Sequence, residues 1–137
     1  MRIIRNETLS IIELNKLLED YNWNIEPIEK LQMSLDLSWG WVTARDSEDK
    51  LVGFVQILSD GSTHAYIFRM LVHSDYRKQG VGTMIMNEVM SLLKENKIYP
   101  TLVASPNNAS FYSKFGFKTH DEGRTAMCIR HPFWNVD

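Results

Sequence analysis

The chain has 137 residues, of which 44% are apolar and 23% are charged, with seven glycines and four prolines. This composition excludes disordered, collagen-like and low-complexity proteins, and the length predicts a single domain over residues 1–137. The net charge of −2 argues against nucleic acid as a general partner.

The first half of the chain carries two helical patterns followed by two β-prone runs. Ser10–Glu13 has the spacing of a capping box, and the apolar stripe after it predicts a helix over about residues 8–20. Pro27 is well placed to begin a second helix, which we expect to end near residue 37. Trp39–Ala44 and Leu51–Leu58 are joined by a polar segment, which predicts a hairpin.

The second half alternates between strand and helix patterns. Ala65–His73 predicts a long strand, and a glycine-containing loop then leads into an amphipathic helix that begins near Val81. The remaining predicted elements are a strand at Tyr99–Ala104, a short helix at Asn107–Lys114 and a last strand at Thr125–Arg130. The predicted fold class is α+β, an α/β mixed sheet that is largely antiparallel in the first half of the chain and β-α-β-α in the second.

The glycine-containing loop offers anion-binding chemistry. Gly80 and Gly82 lack a Cβ, so the backbone can turn sharply and present successive N–H groups to an anion at a helix N-terminus. Arg77 and Lys78 add positive charge at the rim. The alternative is a tight turn that needs glycine for geometry alone. Because Ile85 stands where the dinucleotide fingerprint needs a third glycine, and no Gly-Lys-Ser/Thr occurs, dinucleotide and NTP sites are disfavoured.

Charge is divided unevenly between the two halves of the chain. Residues 1–60 hold 11 acidic and 6 basic side chains, a net of −5, whereas residues 61–137 hold 6 acidic and 9 basic side chains, a net of +3. The basic half favours a small anion such as a nucleotide or a phosphorylated cofactor, and ordinary fluctuation accounts for the division equally well.

Two motifs carry a resemblance to a known family. Arg77–Gly82, Arg-Lys-Gln-Gly-Val-Gly, resembles the Arg/Gln-x-x-Gly-x-Gly/Ala signature of the GNAT N-acetyltransferase superfamily. Ser105–Phe117 is similar to the family's later segment, in which an Asn-containing helix and a Tyr precede Gly-Phe. The two cover about residues 65–118, and the first 40 residues match in pattern only. The resemblance implies a small, bacterial-type, single-domain acetyl-CoA-dependent N-acetyltransferase with the element order β-α-α-β-β-β-α-β-α-β.

The resemblance also implies which residues bind acetyl-CoA. Backbone groups of Met70, Leu71 and Val72 would pair with the pantetheine arm like an added strand. The pyrophosphate would be held by the loop residues Arg77, Lys78, Gln79, Gly80, Val81, Gly82 and Thr83. Asn108 matches the cofactor-contacting Asn of relatives in which it stands four residues before the Tyr, and Asn107 is its rival.

Two residues are predicted to be catalytic. Tyr112 matches the family Tyr that protonates the departing CoA thiolate or hydrogen-bonds its sulfur, and the alternative is an aromatic side chain that caps the core. Many relatives carry the general base as Glu or Asp on the strand before the loop, where this chain has Phe68, Arg69 and Met70. His64, at the start of that strand, is the predicted base, with Asp60 and a water relay as alternatives.

Arg69 has two interpretations. It binds a carboxylate or phosphate of the substrate, or it is an ion-paired or solvated arginine with a structural role only. Strand alternation predicts that its side chain faces away from those of Phe68 and Met70.

The acceptor is predicted to be a primary amine of a small molecule, which attacks acetyl-CoA directly in a ternary complex. In the family the first two helices border the acceptor cleft, and the acidic character of residues 8–37 suits a cationic amine. The alternatives are an acetyl-CoA or CoA sensor of the same fold, acetylation of a protein amine, and a structural module in which the glycines serve only as turn residues.

Location and assembly are also predicted. No apolar run reaches the roughly 18 residues that span a bilayer and the start lacks a signal peptide, so we expect no membrane association and a cytoplasmic location. Cys128 is a single cysteine, and the four His residues are not grouped at ligand spacing, which argues against a metal site. The aromatic run His131–Trp134 predicts contact between subunits of a homodimer, with a tail that folds back as the alternative.

Overall fold

The computed structural model describes residues 1–119 and 124–129, and the chain divides into two compact units, Met1–Leu102 and Val103–Asp137. The elements of the first unit are β1 Arg2–Arg5, α1 Ile11–Asp20, α2 Ile28–Asp36, β2 Gly40–Arg45, β3 Leu51–Ser59, β4 His64–Val72, α3 Val81–Asn96 and β5 Tyr99–Thr101. The described part of the second unit contains a 3-10 turn at Pro106–Asn108 and the short helix α4 at Ala109–Ser113.

The five strands form one mixed sheet in the order β1-β2-β3-β4-β5. The pairs from β1 to β4 are antiparallel, and β5 returns parallel to β4 after the crossover through α3. The predicted α+β class and mixed sheet are therefore confirmed, with helices and strands in the expected order through α4.

The two faces of the sheet bury different helices. Leucines of α1 and α2 form one core cluster with Phe54 of β3 and Leu71 of β4. The next residue along β3, Gly53, points to the opposite face, where a Cβ would lie 2.6 Å from the Ile85 Cδ1 atom of α3. The absence of a side chain at Gly53 thus lets α3 approach the sheet closely.

The buried side chain of Arg45 in β2 links α1 to the sheet through hydrogen bonds to carboxylates. Its Nε donates to Glu7 Oε1 at 2.7 Å, and its Nη1 and Nη2 donate to the two carboxylate oxygens of Glu13 at 2.9 and 3.1 Å. The hydrogen bonds to Glu13 and Glu7 outweigh burial and raise the guanidinium pKa above its usual value. Removing either carboxylate would therefore leave a buried cation incompletely paired.

The end of the chain differs from the prediction. The strand predicted at Tyr99–Ala104 ends at Thr101. Residues 125–129 of the predicted last strand adopt no regular structure, and its last residue, Arg130, lies outside the described residues. Met127 and Ile129 are exposed, so the apolar residues of the predicted strand are not buried. The run His131–Trp134, on which the homodimer prediction rests, also lies outside the described residues.

Candidate functional site

The predicted anion-binding loop joins β4 to α3. Gly80 has φ of +81° and occupies the position before α3 in a left-handed conformation, which an L side chain adopts only with strain. A Cβ at Gly80 would meet nothing within 4 Å, so conformation rather than space favours glycine there. Lys78 is also left-handed, with φ of +62°. These two residues turn the chain so that it enters the helix at Val81.

The N-terminus of α3 is open to an anion. Within the described chain, no side chain caps this helix, and its first turn carries no acidic residue. Arg77 and Lys78 are exposed at its rim, and Arg77 Nε donates to Val72 O at 3.3 Å. The helix dipole, the uncapped amides and the two cations all favour negative charge at this point.

Two carboxylates anchor the turn that precedes the loop. Asp20, at the end of α1, accepts hydrogen bonds from Ser74 N at 2.8 Å and from Ser74 Oγ at 2.7 Å. Burial opposes ionisation of Asp20, but the bonds from Ser74 outweigh it and hold the Asp20 pKa below its usual value. Tyr76 Oη donates to Asp46 Oδ2 at 2.6 Å, which lowers the pKa of Asp46 and raises that of Tyr76. The turn is thus fixed to α1 and to the β2–β3 connection.

The strand segment predicted to bind pantetheine has one open edge. Leu71 and Val72 pair with β3 on one side. On the other side β5 pairs only with His64, Ala65 and Tyr66, so no strand in the described residues covers the edge of residues 70–72. Backbone groups on such an edge are available to an extended ligand arm.

A β-bulge interrupts β4 just before this segment. The register passes from Phe54 opposite Leu71 to Gln56 opposite Phe68, which places one extra residue in β4. Arg69 lies in the bulge with φ of +53°, and its Cζ stands 4.7 Å from the centroid of the Phe68 ring. The expectation that Arg69 and Phe68 face opposite sides is therefore wrong, because the bulge and the positive φ break the alternation.

Arg69 belongs to a half-buried polar cluster that we call the bulge cluster: Glu26, Ser34, Gln56 and Arg69. Its Nη1 donates to Gln56 Oε1 at 2.8 Å and to Ser34 Oγ at 3.2 Å. Its Nη2 is 3.7 Å from Glu26 Oε1, an ion pair beyond hydrogen-bond distance. Burial lowers the pKa of Arg69, and the charge of Glu26 opposes that shift in part.

The partners of Arg69 were not predicted from the sequence. Gln56 could have been, since it is the one polar side chain in the apolar run Leu51–Leu58, and it is fully buried in the structure. Glu26 is positioned from α1, because Asn15 Nδ2 donates to Glu26 O at 3.1 Å and Glu26 N donates to Asn15 Oδ1 at 3.3 Å. The connection between α1 and α2 is thereby held beside the bulge.

The predicted base lies at the other end of β4. His64 is exposed at the first residue of the strand, and its Nδ1 is 3.0 Å from Thr63 Oγ1. Asp60 is in the preceding turn, where its Oδ1 accepts from Ser62 N at 2.9 Å. Met70 follows His64 by six positions, which at the rise of a β-strand corresponds to about 20 Å along the chain. The structure therefore does not bring His64 or Asp60 to the bulge.

Asn108 and Tyr112 lie in the second unit. Asn108 is the residue before α4, and its backbone N donates to Ser105 O at 2.9 Å. Tyr112 is half-buried, with its ring centroid 5.0 Å from that of Phe111 and 6.1 Å from that of Phe117, both edge to face. The roles assigned to Asn108 and Tyr112 stay predictions.

Over residues 1–119 and 124–129, no group of three or more His, Cys, Asp or Glu side chains is arranged to hold a metal ion. In the same part of the chain, none of the helices has the length and apolar character needed to cross a bilayer. The predicted cytoplasmic location stays a prediction.

Comparisons with known proteins agree on one family. The model of the acetyltransferase (GNAT) family matches residues 8–117. The chain is 29% identical over 133 residues to the uncharacterized N-acetyltransferase ycf52 of Pyropia yezoensis, which covers 94% of this chain and 74% of that protein. It is 31% identical over 131 residues to a ycf52-like protein of Prochlorococcus marinus, covering 93% and 70% respectively. In fold it is similar to a probable acetyltransferase of Staphylococcus aureus, with a TM-score of 0.83, 23% identity and coverage of 95% of this chain and 100% of that chain.

Proposed function

The chain belongs to the acetyltransferase (GNAT) family and is an acyltransferase, and we propose that it moves the acetyl group of acetyl-CoA to a primary amine of a small molecule. The observation that carries the proposal is the pairing-free edge at residues 70–72, which the chain follows with the uncapped N-terminus of α3. The edge offers backbone pairing, and the helix N-terminus offers anion-binding amides.

The chain's own groups fit the two halves of acetyl-CoA. The backbone of Met70, Leu71 and Val72 holds the pantetheine arm, and the amides of residues 79–83 with the side chains of Arg77 and Lys78 hold the pyrophosphate. Asn108, by its resemblance to the family's Asn, is a further proposed cofactor contact. Acetyl-CoA supplies an activated thioester, and no metal is needed for the transfer that we propose.

Transfer proceeds by direct attack in a ternary complex. The neutral amine nitrogen bonds to the carbonyl carbon, the carbon–sulfur bond breaks and the amine loses one proton. Backbone N–H groups at Leu71 or Val72 polarise the carbonyl oxygen. Tyr112 gives its proton to the sulfur as the carbon–sulfur bond breaks, and solvent then restores the hydroxyl. A weak acid is enough for this step, because a thiolate whose thiol has a pKa of about 8.5 is already a good leaving group.

The amine proton leaves through water. An alkyl ammonium with a pKa of about 10.4 is only about 0.04% neutral at pH 7, so deprotonation needs a route to solvent. Direct transfer to a base requires about 3 Å, whereas His64 lies about 20 Å from Met70 along β4. The sequence leaves three routes for this proton, His64, Asp60 and a water relay, and we propose the water relay.

The experiment that tests the function begins with the cofactor. The melting temperature is measured with acetyl-CoA, CoA, NAD and ATP, each at about a hundred times a plausible Kd, where binding adds about 2.7 kcal/mol to the free energy of unfolding. We expect acetyl-CoA and CoA alone to raise it. Amines are then screened by the mass of the acetylated product, which separates a transferase from a sensor that binds without turnover.

Gly82→Ala tests whether the loop is a binding loop or only a turn. Gly82 lies in the first turn of α3, where alanine favours the helix by about 1 kcal/mol over glycine. The added Cβ would stand where the loop backbone approaches the pyrophosphate, so we expect Gly82→Ala to weaken acetyl-CoA binding. The unliganded protein should keep or gain stability. Ser91→Ala, at an exposed position of the same helix, is the matched control. Unchanged acetyl-CoA affinity in Gly82→Ala would leave the loop with a structural role only.

A further inference from the structure

We infer that the acceptor amine carries an anionic group, a carboxylate or a phosphate, close to its nitrogen, and that Arg69 in the β4 bulge binds this group. The inference rests on the proposed function and narrows its substrate class. Arg69 immediately precedes the segment proposed to hold the pantetheine arm, so a group bound there lies beside the reacting thioester. The bulge cluster supplies three arguments, and the backbone conformation of Arg69 supplies a fourth.

The guanidinium of Arg69 is fixed before any ligand arrives. Both protons of Nη1 are used, one on Gln56 Oε1 and one on Ser34 Oγ. Gln56 is itself fully buried, and its Nε2 donates to Ser34 and Ser38 on the α2 side. The Phe68 ring, 4.7 Å from Cζ, supports the guanidinium plane. A cation held in one orientation is preorganised for a planar anion.

The opposite edge of the same guanidinium has unused donors. Within the described chain, neither Nε nor Nη2 of Arg69 has an acceptor at hydrogen-bond distance, and the nearest carboxylate oxygen, Glu26 Oε1, is 3.7 Å from Nη2. The Nε and Nη2 hydrogens point in nearly parallel directions, which is the arrangement that binds a carboxylate or a phosphate through two hydrogen bonds. A guanidinium that only joined α2 to the sheet would need the Nη1 edge alone.

Glu26 gives the cluster a matching negative charge. Its side chain is 37% exposed whereas that of Arg69 is 14% exposed, so a ligand can reach the carboxylate and the edge of the guanidinium together. Asn15 fixes the backbone of Glu26 on both its N–H and its C=O. The negative Glu26 and the positive Arg69 together complement a ligand that carries an ammonium group and an anionic group close to each other. An ammonium near Glu26 and an anion on Arg69 are then only a few bonds apart.

The backbone at Arg69 also points to function. A φ of +53° is unfavourable for a residue with a long side chain, and such strain persists where the surrounding structure enforces it, commonly at ligand sites. In this case the strained residue brings its guanidinium to the same side of the sheet as Phe68 and Gln56. An arginine in regular alternation would point to the opposite face.

The test compares matched amines. Purified protein with acetyl-CoA is offered L-amino acids, short ω-amino acids and aminoalkyl phosphates, each beside its amide or hydroxyl counterpart that lacks the anion, and products are detected by mass. We expect kcat/KM to be at least tenfold higher for the anionic members of one of these classes. Preference for carboxylates or for phosphates then identifies the source of the anion.

Variants at Arg69 connect the preference to this residue. Arg69→Met is expected to reduce the preference to less than threefold, mainly by raising KM for the anionic amine, and Arg69→Lys to restore it in part. The acetyl-CoA thermal shift of each variant reports whether the fold and the cofactor site are intact. If Arg69→Met does not fold, the preferences of the wild type and of Arg69→Lys for anionic amines still decide whether Arg69 binds the anionic group.

Other results would overturn the inference. Equal rates for paired amines, acetylation of neutral members only, or no acetylation in the panel while acetyl-CoA still raises the melting temperature would each remove the anion-binding role of Arg69 and leave the proposed cofactor binding in place. Absence of any acetyl-CoA shift would instead remove the proposed function.

Discussion

At the residue scale, one hydroxyl carries the proposed acid step. Tyr112→Phe keeps the ring that packs edge to face against Phe111 and Phe117 and removes only the oxygen. Because the thiolate would then take its proton from solvent, we expect kcat to fall at least about fivefold with little change in acetyl-CoA affinity. Product formation by mass, with acetyl-CoA affinity measured separately, checks the prediction.

Tyr99→Phe is the matched control for that change. Tyr99 is 74% exposed at the start of β5 and has no role in the proposed chemistry. Loss of one tyrosine hydroxyl there should leave turnover as it is. A Tyr112→Phe enzyme with the kcat of wild type would return Tyr112 to a packing role.

Single residues also show how far the sequence could predict the site. Gly80 could be predicted, because the left-handed turn before α3 is a local requirement that glycine meets. The bulge cluster could not, since Arg69 meets Gln56 and Ser34 across separations of 13 and 35 residues. The bulge that reverses the direction of Arg69 is a property of strand pairing, and a period-2 pattern contains no information about it.

At the element scale, prediction succeeded where the signal lay within the element. The apolar stripes of α1 and α3 depend on neighbours three or four positions away. α1 lies close to its predicted bounds, and α3 begins at Val81 as predicted. β5 is shorter than predicted, because its length is set by the three residues of β4 with which it pairs. The apolar pattern that predicted a strand from Thr125 is not accompanied by burial, and an apolar pattern indicates a strand only where one side of it is buried.

The turn between β4 and the loop provides an element-scale prediction. Asp20 joins the end of α1 to Ser74, so Asp20→Asn should lower the free energy of unfolding by about 1 kcal/mol at neutral pH. The pKa of Asp20 is lower in the folded state than in the unfolded chain, so the unfolded state binds more protons in the interval between the two values. The contribution of Asp20 is therefore complete above about pH 5 and is lost as the pH falls through the folded pKa.

Urea unfolding between pH 3 and pH 7 tests this sign. The difference between wild type and Asp20→Asn should be largest near neutral pH and should shrink in acid. Glu19→Gln, the same kind of change at the preceding residue of α1, is the control. A difference that stays constant down to pH 3 would mean that the ionised carboxylate of Asp20 does not stabilise the turn.

At the scale of the whole molecule, the uneven distribution of charge should affect binding of the anionic cofactor through long-range attraction. Residues 61–137 carry a net charge of +3 against −5 for residues 1–60, and the exposed cations Arg77 and Lys78 lie on the loop proposed to bind pyrophosphate. Raising ionic strength from 0.1 M to 1 M shortens the Debye length from about 10 Å to about 3 Å. Most of the distant attraction is then screened, while backbone pairing along β4 is little affected.

Acetyl-CoA affinity should consequently fall about threefold or more over this range of salt. Acetyl-pantetheine, which has the thioester arm without phosphates, is the matched ligand, and its weaker binding should change little. In the double variant Arg77→Gln, Lys78→Gln, the salt dependence for acetyl-CoA should decrease toward that of acetyl-pantetheine. Titration calorimetry at both ionic strengths measures all four combinations of protein and ligand. An equal loss for the two ligands would mean that salt acts through the fold or the pantetheine contacts, and the loop cations would then have no electrostatic part in holding the cofactor.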